Sequence, residues 1–271
     1  MSNAVRLPPE LVYLPLGEEA IPLLKRGFIP LLPATASGLP WLLPPPAQAA
    51  QVRISAEDYL SHMHAEYERL PENLRSLISR DDFLRQAESK RADIEAALVA
   101  QRKARAEEDI GKPEDWLLQR FFSDPYCPLA WSYGAGFSGI WLGIDPQYWP
   151  DTLFRPVSYQ LQRAPRLPDS LCCDPPHQAI LAEQRLICAR ESVDKSIQVG
   201  QQRQWLLRLP PKALRMVLLG AQIPRRFEQG LLQFWQQDFR YQRIPLAQMR
   251  FNNRDLNWEY QLRPLTRAEN P

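Results

Sequence analysis

Apolar and polar positions change period along this chain, and each change predicts a different kind of element. Up to about residue 46, short apolar pieces alternate with prolines. Leu11-Val12-Tyr13-Leu14 predicts a strand, residues 18–26 a short helix stopped by Gly27, and residues 28–32 a second strand. Pro30 withholds a ladder donor, which places that second strand at a sheet edge or a bulge. The run Pro44-Pro45-Pro46 and residues 47–51 read as a stiff connector. From 55 to 120 the period is helical. Ser55 with Asp58 three residues on resembles a capping box, and Tyr59, Met63, Tyr67 and Leu70 recur at helical spacing. Residues 81–109 contain neither proline nor glycine. Phe83, Ala87, Ile94 and Leu98 trace an apolar stripe there, so one long helix with a core-facing side is expected, its last turns solvated.

Beyond residue 118 the period is that of strands, at 118–122, 139–144, 155–160, 203–209, 214–219, 241–246 and 257–262. One helix interrupts them, at 225–239, with Phe227, Leu231, Leu232 and Trp235 on a single face. Strands joined by irregular connections, with most helices gathered in one stretch, define an α+β class. The expected architecture is a single domain over 1–271: a mostly antiparallel sheet, a helical insertion at about 55–115, and a C-terminal helix packed on the sheet.

Composition narrows the function. Twenty-seven prolines against eleven glycines in 271 residues is about twice the usual ~5% proline share and argues against a regular helical bundle. With 45% hydrophobic and 24% charged residues the chain is globular by composition. A formal net charge of +2 leaves no basic excess for a phosphate backbone, so nucleic acid is not an expected partner. The most apolar opening stretch is broken by prolines, so no membrane span is expected. The first residues lack the basic flank and unbroken apolar core of a secretory signal, and a cytoplasmic location is expected.

Candidate chemistry is sparse. Cys127, Cys172, Cys173 and Cys188 form no CxxC pair, so neither a disulfide framework nor a zinc knuckle is indicated. Cys172, Cys173, Asp174 and His177 crowd ligand types into six residues, but adjacent ligands seldom reach one ion and Pro175-Pro176 suggest a surface turn. His62 and His64 stand two apart, about 200° around a helix, and cannot clasp one ion as an i, i+4 pair could. Gly134, Gly136 and Gly139 spell GxGxxG, yet the strand-like Ile140-Trp141-Leu142-Gly143-Ile144 follows where a dinucleotide site needs a helix. No metal and no cofactor is expected.

The most distinctive stretch runs from Phe121-Phe122-Ser123 through Trp131-Ser132-Tyr133 to Gly139 and Gly143-Ile144-Asp145. It resembles the "FS…MWsHYAdxHxGxxIGFD" block of a widespread bacterial domain-of-unknown-function family. Val12-Tyr13-Leu14-Pro15-Leu16 resembles that family's opening, and Pro156-Val157-Ser158-Tyr159 its next strand. Residues 195–208 resemble its "K-x-x-x-W-x-x-E-x-E-W-R" piece, and residues 216–220, the 225–239 helix and residues 241–246 its ending, in the same order over nearly the whole chain. The departures fall on chemistry. Ser37-Gly38-Leu39-Pro40-Trp41-Leu42 stands where the family carries FNDPFE. Tyr133 matches the family's tyrosine, but the histidine before it is lost and the later histidine position reads Phe137. Gln202 and Gln204 stand for the acidic pair, although Glu183 or Glu191 is a candidate for the same place in space.

Glutamine keeps the shape and hydrogen bonding of glutamate but cannot take a proton as a base. The resemblance therefore implies a pseudoenzyme-like member, a non-catalytic binding or interaction protein, with a candidate pocket of Trp131, Tyr133, Gln202 and Gln204. Two alternatives stay open. One is an active nucleotide- or NAD-handling enzyme, by analogy with the ADP-ribosyltransferase fold, with Trp131 and Tyr133 holding the ring and Gln202 or Gln204 replacing the glutamate. The other is a defence- or toxin-associated partner docking through the end of the 81–109 helix. A protein partner or a small nucleotide is the class of ligand these readings name.

Overall fold

A computed structural model describes residues 6–42, 54–110, 112–150, 153–162, 164, 166–199 and 202–263, without the side chains of residues 105–110, 199 and 202. Contacts divide the chain into two compact units, residues 1–43 with 113–271, and residues 44–112. The second is the expected helical insertion.

In the larger unit, β1 (Val12–Leu16), α1 (Ala20–Arg26) and β2 (Phe28–Pro33) precede the insertion. Gly27 ends α1 in the left-handed region at φ 75°, where its N–H caps the carbonyls of Leu23 and Leu24. In the insertion, α2 (Ala56–Arg69), α3 (Glu72–Arg75), α4 (Arg80–Ser89) and α5 (Arg91–Ile110) follow. The chain then runs through β3 (Trp116–Phe122), α6 (Pro128–Gly134), β4 (Ile140–Ile144), β5 (Phe154–Pro156), β6 (Ser158–Tyr159), β7 (Cys173–Asp174), β8 (Glu183–Ala189), β9 (Lys195–Val199), β10 (Gln202–Arg208) and β11 (Leu214–Leu219). It closes with α7 (Arg225–Gln237), β12 (Leu246–Asn252) and β13 (Asn257–Leu262).

The main sheet runs β13-β12-β11-β4-β1-β3-β2-β10-β9, with β8 on β3 and β5 on β8. Every pair in it is antiparallel except β11–β12, whose crossover is α7. The fold is thus α+β with a mostly antiparallel sheet. Alternation along the central strands explains how both faces are covered. Val12, Leu14 and Leu16 of β1, with Ile140, Leu142 and Ile144 of β4, face one core beneath α1 and α7. Tyr13 and Trp141, one residue out of phase, face a second core with Ala130 and Trp131 of α6. Phe227, Leu231, Phe234 and Trp235 of α7 are buried in the first core, each contributing roughly 1.5–3 kcal/mol.

The sheet forks at β2. Residues 28–31 pair with β10, Arg208↔Phe28 through Trp205↔Leu31, whereas Leu32 and Pro33 pair with Leu118 and Leu117 of β3. Although β2 as a whole lies between β10 and β3, Pro30, opposite Leu206, stands at a local edge, since the β3 pairing begins only at Leu32. It is tolerated because only the β10 side is laddered at that residue.

Other expectations need correction. The strand expected at 241–246 is a turn, and β12 begins at Leu246. Tyr241 and Ile244 pack instead on α7, whose Trp235 donates its indole N–H to the Ile244 carbonyl. The strand expected at 155–160 is broken at Val157. The α6 helix and strands β8 and β9 are additional: β8 reads Glu183 to Ala189 with polar residues in its first half, which hides its period. The long helix expected at 81–109 is two helices parted at Lys90. That break lets Phe83 and Ala87 of α4 and Ile94 of α5 gather on Tyr59 and Met63 of α2 in one small core. Ser55 Oγ accepts from the Asp58 N–H, as its spacing predicts, and Ser79 Oγ caps α4 through the Asp82 N–H. The connector at 44–51 lies outside the described residues. Among those described, no helix is long and apolar enough to cross a membrane.

Candidate anion-binding cleft

The four residues named by the sequence do not form one pocket. Trp131 is fully buried. Its ring stacks on Trp141 at 4.4 Å between centroids, and its Nε1 donates to the Pro125 carbonyl and to Tyr260 Oη, each at 3.0 Å. It is sealed in the second core and has no face left for a ligand. Tyr133, two residues on and so about 200° around α6, is 57% exposed. Gln204 lies on β10 opposite Ile197, and Gln202 opposite Val199. In the sheet order, β3 and β2 stand between β1, which α6 contacts, and β10. Trp131 and Gln204 therefore belong to separate regions. Gly136 takes φ 57° in the turn after α6, and a Cβ on Gly139 would collide with the Leu16 carbonyl. The glycines of the GxGxxG string thus shape a turn into β4.

Glu183, the alternative acid, is held in a buried ionic network. Arg120 grips it with two bonds, Nε to Oε1 at 2.9 Å and Nη2 to Oε2 at 2.6 Å. Arg185, next but one along β8, reaches Glu183 Oε1 at 2.7 Å, Asp174 Oδ2 at 2.6 Å and the Leu171 carbonyl at 2.6 Å. Trp41 Nε1 donates to Asp174 Oδ1 at 2.8 Å. Burial alone would push the Arg185 guanidinium down, but Glu183 and Asp174 with their hydrogen bonds hold it above the usual arginine value. Tyr159, whose Oη accepts from the Glu183 N–H, is raised by burial. The network is closed on itself, so it fastens β3, β8 and β7 together rather than exposing a base. Asp174 is thereby committed to Arg185 and Trp41, and burial pushes the Cys172 thiol up to about 11. Among the described residues no group of three or more His, Cys, Asp or Glu is placed to hold a metal ion. His64 accepts from Arg80 at 3.0 Å.

An open cleft lies where the sheet forks. It encloses about 530 Å³ and is lined by Pro30, Leu31, Leu32, Pro33, Ala36, Arg190, Arg203, Gln204 and Trp205. β2 forms one wall as it leaves β10 for β3, and the far end of β10 forms the other. Arg190 enters from the turn after β8. Its guanidinium lies over the Trp205 ring at 4.6 Å from the centroid, and that of Arg203 at 5.4 Å. Both arginines are exposed, and neither has a carboxylate partner among the described residues. Both within cation–π reach of one indole, the two charges lie inside about one Debye length (~10 Å at 0.1 M salt) of each other. The cleft is therefore a cationic recess with an apolar wall and one amide, Gln204. Its described lining holds no Asp, Glu, His, Cys, Ser or Tyr.

Arg190, Arg203 and Trp205 escaped the sequence reading. The signal in the sequence is Arg203 and Trp205 at i and i+2 of a strand, on one face, beside Gln202 and Gln204, which draw attention only through the acids they replace in the resembled pattern. Arg190 carried no local signal at all. Comparison of the chain with models of protein families, with curated proteins and with solved structures finds no match.

Proposed function

We propose that this protein is a non-catalytic binding protein, acting in the cytoplasm, which takes an anionic ligand in the cleft between β2 and β10. The observation that carries the reading is the pair of exposed guanidinium groups near Trp205, neither with a carboxylate partner among the described residues. Two guanidinium groups lining one cleft favour an anion there, which can accept charge-assisted hydrogen bonds from them. Gln204 adds a neutral amide, and Leu32, 46% exposed, adds apolar surface. The described lining supplies donors and apolar contact, and none of its residues is suited to take or deliver a proton near neutral pH. The glutamines at 202 and 204, where the resembled family carries acids, support the same non-catalytic reading.

The test is a screen of NAD, nucleotides, inorganic phosphate and acidic peptides against the purified protein, reading both binding and turnover. Binding of anions that weakens in Arg203→Gln, without conversion of any of them, is expected. Turnover would overturn the reading.

A further inference from the structure

Resting on that reading, we propose that the anion is carried by an extended acidic peptide segment, which adds as a strand to the free side of β10. Among the described residues, 202–204 have ladder partners on the β9 side alone, through Gln202↔Val199, Arg203↔Gln198 and Gln204↔Ile197. The β10–β2 ladder ends at Trp205↔Leu31. Beyond it β2 is drawn across to β3 by Leu32 and Pro33, so the wall facing residues 202–204 stands off across the cleft. Backbone N–H groups alternate sides along a strand, so one of the adjacent amides of Arg203 and Gln204 points away from β9. Such an unpaired stretch is a template for another chain.

Charge selects the segment. Arg203 and Trp205 share a face of β10, and Arg190 lies over the same Trp205 ring. A strand laid along residues 202–204 would present every second side chain to that face. Glutamate or aspartate at alternate positions meets the two guanidinium groups, and apolar residues between them suit a groove walled by Leu32, Pro33 and Ala36. A small free anion would engage the arginines but leave both the backbone edge and the apolar wall unused.

The experiment titrates the full-length protein by calorimetry with a capped eight-residue peptide of alternating glutamate and valine. Parallel arms use the same peptide with lysine for glutamate, the same peptide with a central proline, inorganic phosphate, and AMP. The glutamate peptide is expected to bind. Arg190→Gln and Arg203→Gln should each weaken it about tenfold, the loss of a charged hydrogen-bonding partner. Arg215→Gln, an exposed change on β11, should leave it unaltered, and the lysine and proline peptides should bind at least about tenfold more weakly because one inverts the charge and the other removes a ladder donor. Amide exchange should slow at Arg203 or Gln204 on binding. Equal binding of the proline peptide would overturn strand addition. Arginine-dependent binding of phosphate or AMP without the peptide would overturn the inference and leave the anion-binding reading standing. Binding of no anion would overturn both.

Discussion

Arg185 and Arg190 lie five residues apart, one inside β8 and one just past its end, and they meet opposite fates. Arg185 is fully buried, and three hydrogen bonds tie it to Glu183, Asp174 and the Leu171 carbonyl. Arg190 is exposed, with the Trp205 ring beneath it. A charge taken out of water must be matched, since an unpaired buried ion costs several kcal/mol; a charge left at the rim of a cleft can stay unmatched because water solvates it until a ligand arrives. Saturation marks the fastening and the unsatisfied pair marks the candidate site, although residue type is the same in both.

The contrast can be broken most severely inside the network. Arg185→Gln leaves Glu183 and Asp174 buried without their shared cation and is expected to cost about 3–5 kcal/mol in urea unfolding. Trp131→Ala should cost a similar or slightly smaller amount, about 3–5 kcal/mol; after refolding at low temperature, anion binding at the cleft should persist, because Trp131 belongs to the second core. If Trp131→Ala abolished binding in a protein still folded by circular dichroism, the separation of core and cleft would fail. Arg190→Gln and Arg203→Gln mark the other side: stability within about 0.5 kcal/mol of the parent, with anion affinity down about tenfold.

Two smaller effects depend on pH. Burial first of all raises the Tyr13, Tyr241 and Tyr260 hydroxyls. A raised value in the folded state means that their contribution is complete below the unfolded-chain value, near 10, and is lost as pH climbs toward the folded-state values. Stability should therefore decline above about pH 10, with the phenolate absorbance of these residues appearing together with unfolding. The Cys172 thiol, held up to about 11 by burial, should stay protonated at pH 8 and react with a thiol reagent only on denaturation; rapid labelling of the native protein would contradict its placement.

Much of the architecture was legible locally. Gly27 as a helix stop, Ser55 as a cap, the alternation in β1, β4 and β11 and the apolar face of α7 all follow from neighbours within a few residues. The misses share one cause. β8 carries Glu183 and Arg185 on its buried face because each is the other's partner, so its polarity masked its period. Lys90 parts α4 from α5 because a small core, rather than helix propensity, decides where that segment bends. Trp131 reads from the sequence either as a pocket aromatic or as a core aromatic beside a glycine-rich turn, and its partners Trp141 and Tyr260, 10 and 129 residues away, decide for the core.

By itself the sequence determined an α+β chain with a helical insertion, because period, caps and turn residues act over a few positions. Only the tertiary structure decided which charges are matched, since pairing joins Arg120 to Glu183 and Trp41 to Asp174 across 63 and 133 residues. It also set where β2 parts from β10, because Leu32 and Pro33 have two possible neighbours and take the one on β3. That choice opens the cleft into which Arg190 and Arg203 reach, neither with a carboxylate partner among the described residues.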